Sequence, residues 1–180
     1  MRIIAGKFKR RTIHTIEGLE TRPVMDRIKE SIFNILVHRY SIAGKSVLDL
    51  FAGSGSFGLE ALSRGAKHVT FVEKSNEAAK YLNENIKKLE CAAECTVRNM
   101  SVESFLERNK NRYDLIFCDP PFKMENPQSI LSVLLKIDAM NPESMLIFRS
   151  EAKNYFEFSG YEILIEKVFG RNIVYFLRKL

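Results

Sequence analysis

The feature that most constrains this chain is an alternation of short apolar runs, each closed by a turn, with stretches of helical spacing. Ser46-Val47-Leu48-Asp49-Leu50-Phe51 ends on a glycine-rich turn and reads as a buried parallel strand, because a strand covered on both faces needs no polar alternation. A helix over 57–64, a strand over 67–73 and a helix over 75–89 follow, the last with Ser75 placed to cap it. A strand over 95–98, a helix over 101–109, a strand over 113–119, a helix over 127–140 and a strand over 144–149 continue the pattern. Two more strand-like runs, 161–169 and 172–178, meet at Gly170-Arg171, a connection that only antiparallel neighbours allow. Five βα units and a terminal hairpin predict an α/β fold. Its sheet is doubly wound, Rossmann-like and mostly parallel, with helices on both faces and an antiparallel C-terminal hairpin. A chain of 180 residues holds one such core and not two.

Ahead of this pattern lies a different kind of sequence. The first 29 residues carry Arg2, Lys7, Lys9, Arg10, Arg11, Arg22, Arg27 and Lys29 against Glu17, Glu20 and Asp26, which is five of the six net positive charges. Within it begins a helix, Asp26 to Arg39, with Ile28, Ile32, Phe33, Ile35, Leu36 and Val37 toward a core and Arg27, Lys29 and Glu30 on its other face. The chain therefore divides into a basic extension with its helix, residues 1–40, packed on a main domain, residues 41–180. A basic extension on a nearly neutral body is the footprint of a phosphate-rich partner, since binding releases counterions from the phosphates.

Other classes drop away. No apolar run approaches the roughly 18–20 residues of a membrane span, and basic Met1 to Arg11 leads into no apolar stretch, which points to the cytoplasm. Three cysteines suggest free thiols rather than a disulfide framework, and Cys91 and Cys95 with scattered histidines are too few ligands for zinc. Nothing demands a dimer, and a monomer is expected.

In doubly wound sheets ligands bind at the carboxyl ends of the strands. At the first such end stands Asp49-Leu50-Phe51-Ala52-Gly53-Ser54-Gly55-Ser56-Phe57-Gly58, where small residues admit a ligand close to the backbone. Gly53, Gly55 and Gly58 satisfy G-x-G-x-x-G, which fits a nicotinamide dinucleotide as well as S-adenosylmethionine. Asp49 favours the latter: it would attract the cationic amino acid end of S-adenosylmethionine and repel a pyrophosphate. Glu73, at the tip of the second strand, is placed to accept both ribose hydroxyls, or alternatively to serve the helix that begins near Ser75.

The fourth strand ends on Asp119-Pro120-Pro121-Phe122, at the same edge. An exocyclic amino group of a nucleobase is a poor nucleophile because its lone pair is delocalised into the ring, so a catalyst has to accept hydrogen bonds from it and aim it. The carboxylate of Asp119 and the carbonyl of Pro120 supply two acceptors, paired prolines fix the backbone, and Phe122 offers a face for the base. The base would be single-stranded or flipped out to reach them. Guanine and adenine in RNA or DNA both satisfy this chemistry. A nicotinamide-dependent reductase and a non-catalytic RNA-binding module also fit parts of the pattern.

Asp119-Pro120-Pro121-Phe122 together with Asp49-Leu50-Phe51-Ala52-Gly53-Ser54-Gly55 resembles the class I methyltransferases of base amino groups. Arg2-Ile3-Ile4-Ala5-Gly6, Thr21-Arg22-Pro23, Asp26-Arg27 with Glu30, Phe33-Asn34 and Gly58 to Gly65 are similar, more narrowly, to the RsmD family. That resemblance covers nearly the whole chain. It implies methylation of the 2-amino group of a guanine in bacterial 16S ribosomal RNA, within a partly assembled small subunit. It implies a cofactor set of Asp49, Phe51, Gly53, Ser54, Gly55, Glu73 and Lys74. Where the family usually has an acidic or amide residue facing the adenine, this chain has Ser101, with Asn99 two residues before. The RNA would fall to Arg2, Lys7, Lys9, Arg10, Arg11, Arg22 and Arg27, and the Phe169-Gly170-Arg171-Asn172 turn receives no substrate role.

Overall fold

The computed structural model describes residues 1–15, 23–151 and 156–180, with the backbone alone for Pro23 and Val24. Among the elements are α1 (Pro23–Arg39), β1 (Ser46–Leu50), α2 (Ser56–Ser63), β2 (His68–Val72), α3 (Asn76–Lys88), β3 (Cys95–Arg98) and α4 (Val102–Arg108). β4 (Tyr113–Cys118), α5 (Gln128–Lys136), β5 (Met140–Glu151), β6 (Tyr161–Phe169) and β7 (Asn172–Lys179) complete the order. The strands form one sheet in the order β3-β2-β1-β4-β5-β7-β6, parallel from β3 to β5 and antiparallel at β7 and β6. The order turns back between β1 and β4, so the crevice where ligands bind opens there. Among the described residues no helix is long and apolar enough to cross a membrane.

Alternation along each strand builds two cores. Val47, Val69, Phe71, Leu115 and Phe117 face α1, α2 and α3, where Ile32, Phe33, Leu59, Leu62 and Leu82 cover them. Leu48, Leu50, Val72, Ile116 and Cys118 face the opposite way, onto Phe105, Leu106, Ile130 and Leu134 of α4 and α5. Ser75 caps α3 by accepting from Ala78 N over 3.2 Å.

Four expectations need correction. α5 stops at Lys136 rather than near Met140, because Asp138 turns left-handed (φ 53°) and Ala139 N closes onto Leu134 O at 3.1 Å. β5 is correspondingly longer than 144–149: Met140 already pairs with Tyr113, and the register then skips to Leu115 with Met145. Asn141 to Ser144 bulge out, with Glu143 at φ 62°. α1 starts at Pro23, a residue suited to a first helical turn, three positions before the expected Asp26. Its Val37 is exposed rather than on the core face, because it lies one position past Leu36 and so about 100° around the helix from the buried stripe.

Candidate active site

β1, β2 and β4 all end at the carboxyl edge, and their ends are tied by different means. After β1, Ala52 N donates to Val72 O at 3.0 Å and Gly53 N to Glu73 Oε2 at 2.8 Å, so the glycine turn is stitched to the end of β2. Ser75 N donates to Glu73 Oε1 at 2.7 Å, and Asn99 Nδ2 to the Glu73 carbonyl at 2.8 Å. Glu73 is therefore both the support of the α3 start and the partner of Gly53. An ionised carboxylate offers about four lone-pair sites, so two amides leave room for two hydroxyl donors. Phe51 sits in the left-handed region (φ 60°), a conformation that costs roughly 1–3 kcal/mol outside glycine and clusters at ligand sites.

Asp49 lies one residue inside the end of β1, buried at 1 %, and its Oδ2 accepts from Gly58 N at 2.8 Å. It thus shapes the turn from within. Gly58 is required by packing: a Cβ there would stand 2.3 Å from the Phe71 ring. Ser54 is buried, with its carbonyl accepting from Asn85 Nδ2 at 3.0 Å. Gly55 is the residue before α2, without a side-chain cap. Lys74 and Asn99 are exposed beside this cradle, and Ser101 caps α4 by accepting from Ser104 N at 3.2 Å.

The β4 loop leaves the next strand. Leu50 pairs with Cys118, so Phe51 and Asp119 depart from adjacent positions. Cys118 lies buried near both Asp49 and Asp119; burial first, and then those two carboxylates, push its thiol far up, so it stays protonated and is no nucleophile. Pro120 is buried and Phe122 is 49 % exposed. Pro121 O accepts from Met124 N at 2.9 Å, whereas no described residue donates to the Pro120 carbonyl. Asp119 is held by Arg149, whose Nε is 2.5 Å from Oδ1, and the same guanidinium lies over the Phe122 ring at 5.1 Å. Arg149 was not expected at the site; its signal is a lone cation at the carboxyl end of an apolar strand.

The basic segment folds back on itself, with Arg2 bridged to Thr12 and Ile3 N donating to Arg11 O at 3.0 Å. It docks on α2. Glu60, fully buried, accepts from Ile4 N at 2.7 Å, Ala5 N at 3.1 Å and Arg64 Nε at 2.7 Å. Ser63 Oγ accepts from Phe8 N at 2.9 Å, and Gly6 lies so close that a Cβ would sit 1.8 Å from the Ser63 carbonyl oxygen. Arg2, Lys7, Lys9, Arg10, Arg11 and Arg27 are all exposed. Lys7 pairs with Glu94 at 2.9 Å and Arg11 donates to the Lys88 carbonyl at 3.0 Å. Arg22 lies outside the described residues. Lys29 does not lie on a solvent face as its spacing suggested: it is 1 % exposed and donates to the Arg2 carbonyl at 3.0 Å, so it anchors the segment. Among the described residues no group of three His, Cys, Asp or Glu could hold a metal ion.

Strand order, a glycine turn joined to a carboxylate, and a proline loop on the adjacent strand define the class I methyltransferase fold. The solved structure of yhhF from Escherichia coli shares it with a TM-score of 0.89, 31% identity, and coverage of 99% of this chain and 97% of that one. HI0767 from Haemophilus influenzae follows at 0.83, 34% identity, and 99% and 98% coverage. The ribosomal RNA small subunit methyltransferase D of Haemophilus influenzae is 36% identical over 94% of this chain and 89% of its own length. The sequence profile described as "Conserved hypothetical protein 95" matches residues 1–178. The chain belongs to this family, the RsmD family.

Proposed function

We propose that the protein transfers a methyl group from S-adenosylmethionine to the 2-amino group of a guanine in small-subunit ribosomal RNA. The observation that carries this reading is the departure of Asp119-Pro120-Pro121-Phe122 from β4 directly beside the glycine turn of β1. Support for an RNA substrate comes from the relatives' name and from the exposed basic residues at the N-terminal end.

In this reading Gly53, Gly55 and Glu73 hold the cofactor, with Phe51, Ser54, Lys74, Asn99 and Ser101 around it. Asp49 supplies negative charge for its amino acid end. When bound, S-adenosylmethionine supplies an electrophilic methyl group on a sulfonium. Asp119, through Oδ2, and the carbonyl of Pro120 accept hydrogen bonds from the amino group of the base, which turns the nitrogen lone pair toward that methyl. The exposed ring of Phe122 stacks the base. On transfer the amino nitrogen would give up one N–H proton to solvent, while Asp119 Oδ2 and the Pro120 carbonyl would keep it in place.

Residues 1–40 act as the RNA-facing extension of a catalytic domain, 41–180, and Arg2, Lys7, Lys9, Arg10, Arg11, Arg22 and Arg27 meet phosphates. The substrate is an assembling small subunit in the cytoplasm, and the protein acts as a monomer. The test is methyl transfer from labelled S-adenosylmethionine to small-subunit particles, bare 16S RNA and DNA. Transfer to the particles is expected. Transfer to DNA alone would overturn the reading, as would tight NADH binding without affinity for S-adenosylhomocysteine.

A further inference from the structure

The acceptor carboxylate is held by a residue from another strand. Cys118 of β4 is paired with Phe148 of β5, which puts Arg149 level with Asp119. Besides the 2.5 Å contact of Nε with Asp119 Oδ1, Arg149 Nη1 lies 2.9 Å from Asn172 Oδ1 and 3.5 Å from Met25 Sδ. The pair is mostly withdrawn from solvent, with side-chain exposures of 13 % and 18 %. Asn172 is the first residue of β7, and its Nδ2 also donates to the Phe169 carbonyl at 3.4 Å across the hairpin turn.

We propose that Arg149 is a positioning residue for methyl transfer and that Asn172 fixes Arg149, which gives the terminal hairpin a part in the active site. The inference rests on the function proposed above. A carboxylate on a loop can rotate about two side-chain torsions. With Oδ1 taken by Arg149, Oδ2 is left as the oxygen that points to the substrate.

A guanidinium is planar, and its Nε and Nη donors diverge at fixed angles, so tying one to Asp119 and another to Asn172 sets the plane of the group. That plane lies over Phe122, and the cation–π contact fixes an aromatic ring that is otherwise half exposed. One side chain thereby sets the relation between the hydrogen-bond acceptor and the stacking plate. A lysine, with a single point charge, cannot do so.

The experiment compares wild type, Asp119→Ala, Arg149→Ala, Arg149→Lys and Asn172→Ala for transfer to small-subunit particles. Binding of S-adenosylhomocysteine and thermal melting are measured on each. For Arg149→Ala we expect kcat to fall about 100-fold, the loss that a misplacement near 1 Å can produce. KM for the particle and affinity for S-adenosylhomocysteine should change less than about threefold, since positioning acts on the transition state. Soluble guanidinium at millimolar concentration should restore part of kcat to Arg149→Ala, and Arg149→Lys should remain slow. Asn172→Ala, which keeps the cation and loses one hydrogen bond to it, should lose about 10-fold.

Should Arg149→Ala fail to fold, Asn172→Ala decides by the same criteria. Transfer by the wild type that Asp119→Ala abolishes upholds the proposed function. Against that background, a wild-type kcat in Arg149→Ala and Asn172→Ala, or a raised KM with unchanged kcat, overturns this inference alone. No transfer by the wild type overturns both.

Discussion

The two halves of the active edge are built differently. The cofactor side, from β1 to β3, is held by backbone amides and short spans: Gly53 N to Glu73, Ser75 N to Glu73, Gly58 N to Asp49. The acceptor side, around Asp119, is held by side chains from distant parts of the chain: Arg149, Asn172 and Met25. Each stitch pairs a backbone amide with one carboxylate, Glu73 or Asp49, so it withstands substitutions elsewhere in the turn, whereas the clamp depends on Arg149, Asn172 and Met25 together. Defects on the first side should therefore register in cofactor binding and stability, and defects on the second in turnover.

The largest effect is expected at Asp119→Ala. Transfer should fall by at least about 100-fold with affinity for S-adenosylhomocysteine within about threefold, measured by initial rates and calorimetry. A matching loss of cofactor affinity would erase the distinction between the halves. Next comes Glu73→Ala, for which affinity for S-adenosylhomocysteine should drop roughly 10- to 100-fold through lost hydrogen bonds to a charged group. Melting should also fall, because Gly53 and Ser75 amides lose their acceptor.

Gly58→Ala drives a methyl group into Phe71 and Val69 and should cost about 1–3 kcal/mol by overpacking, read in denaturant unfolding. Gly6→Ala should loosen the basic segment from Ser63 without altering charge, and so weaken particle binding at constant net charge. The smallest change is expected from Arg10→Ala with Arg11→Ala: the slope of log affinity against log salt should shrink by about one to two, one phosphate contact per arginine. An unchanged slope would make those side chains ordinary solvated surface.

The same division explains what could be read in advance. Strand and helix order followed from apolar periodicity, and Glu73, Gly53 and the Ser75 cap followed from position, because their partners are near in sequence or at strand ends. Asp119 to Phe122 stood out as a motif. Their clamp did not: Arg149, Asn172 and Met25 come together only once β5 lies beside β4 and β7 beside β5, and no local pattern records that adjacency. Glu60 was obscured in another way, since a lone carboxylate in an apolar helix reads as exposed until the amides of Ile4 and Ala5 are found on it. The end of α5 was misplaced because apolar spacing ran on through Ala139 and Met140 into β5, past a left-handed Asp138 that periodicity does not register.

The account's central claim is the identity of the methylated atom. Small-subunit particles or 16S RNA treated with the protein and labelled S-adenosylmethionine, digested to nucleosides and resolved by mass spectrometry, test it most directly. The label is expected in N2-methylguanosine, and its appearance in N6-methyladenosine instead would contradict the account.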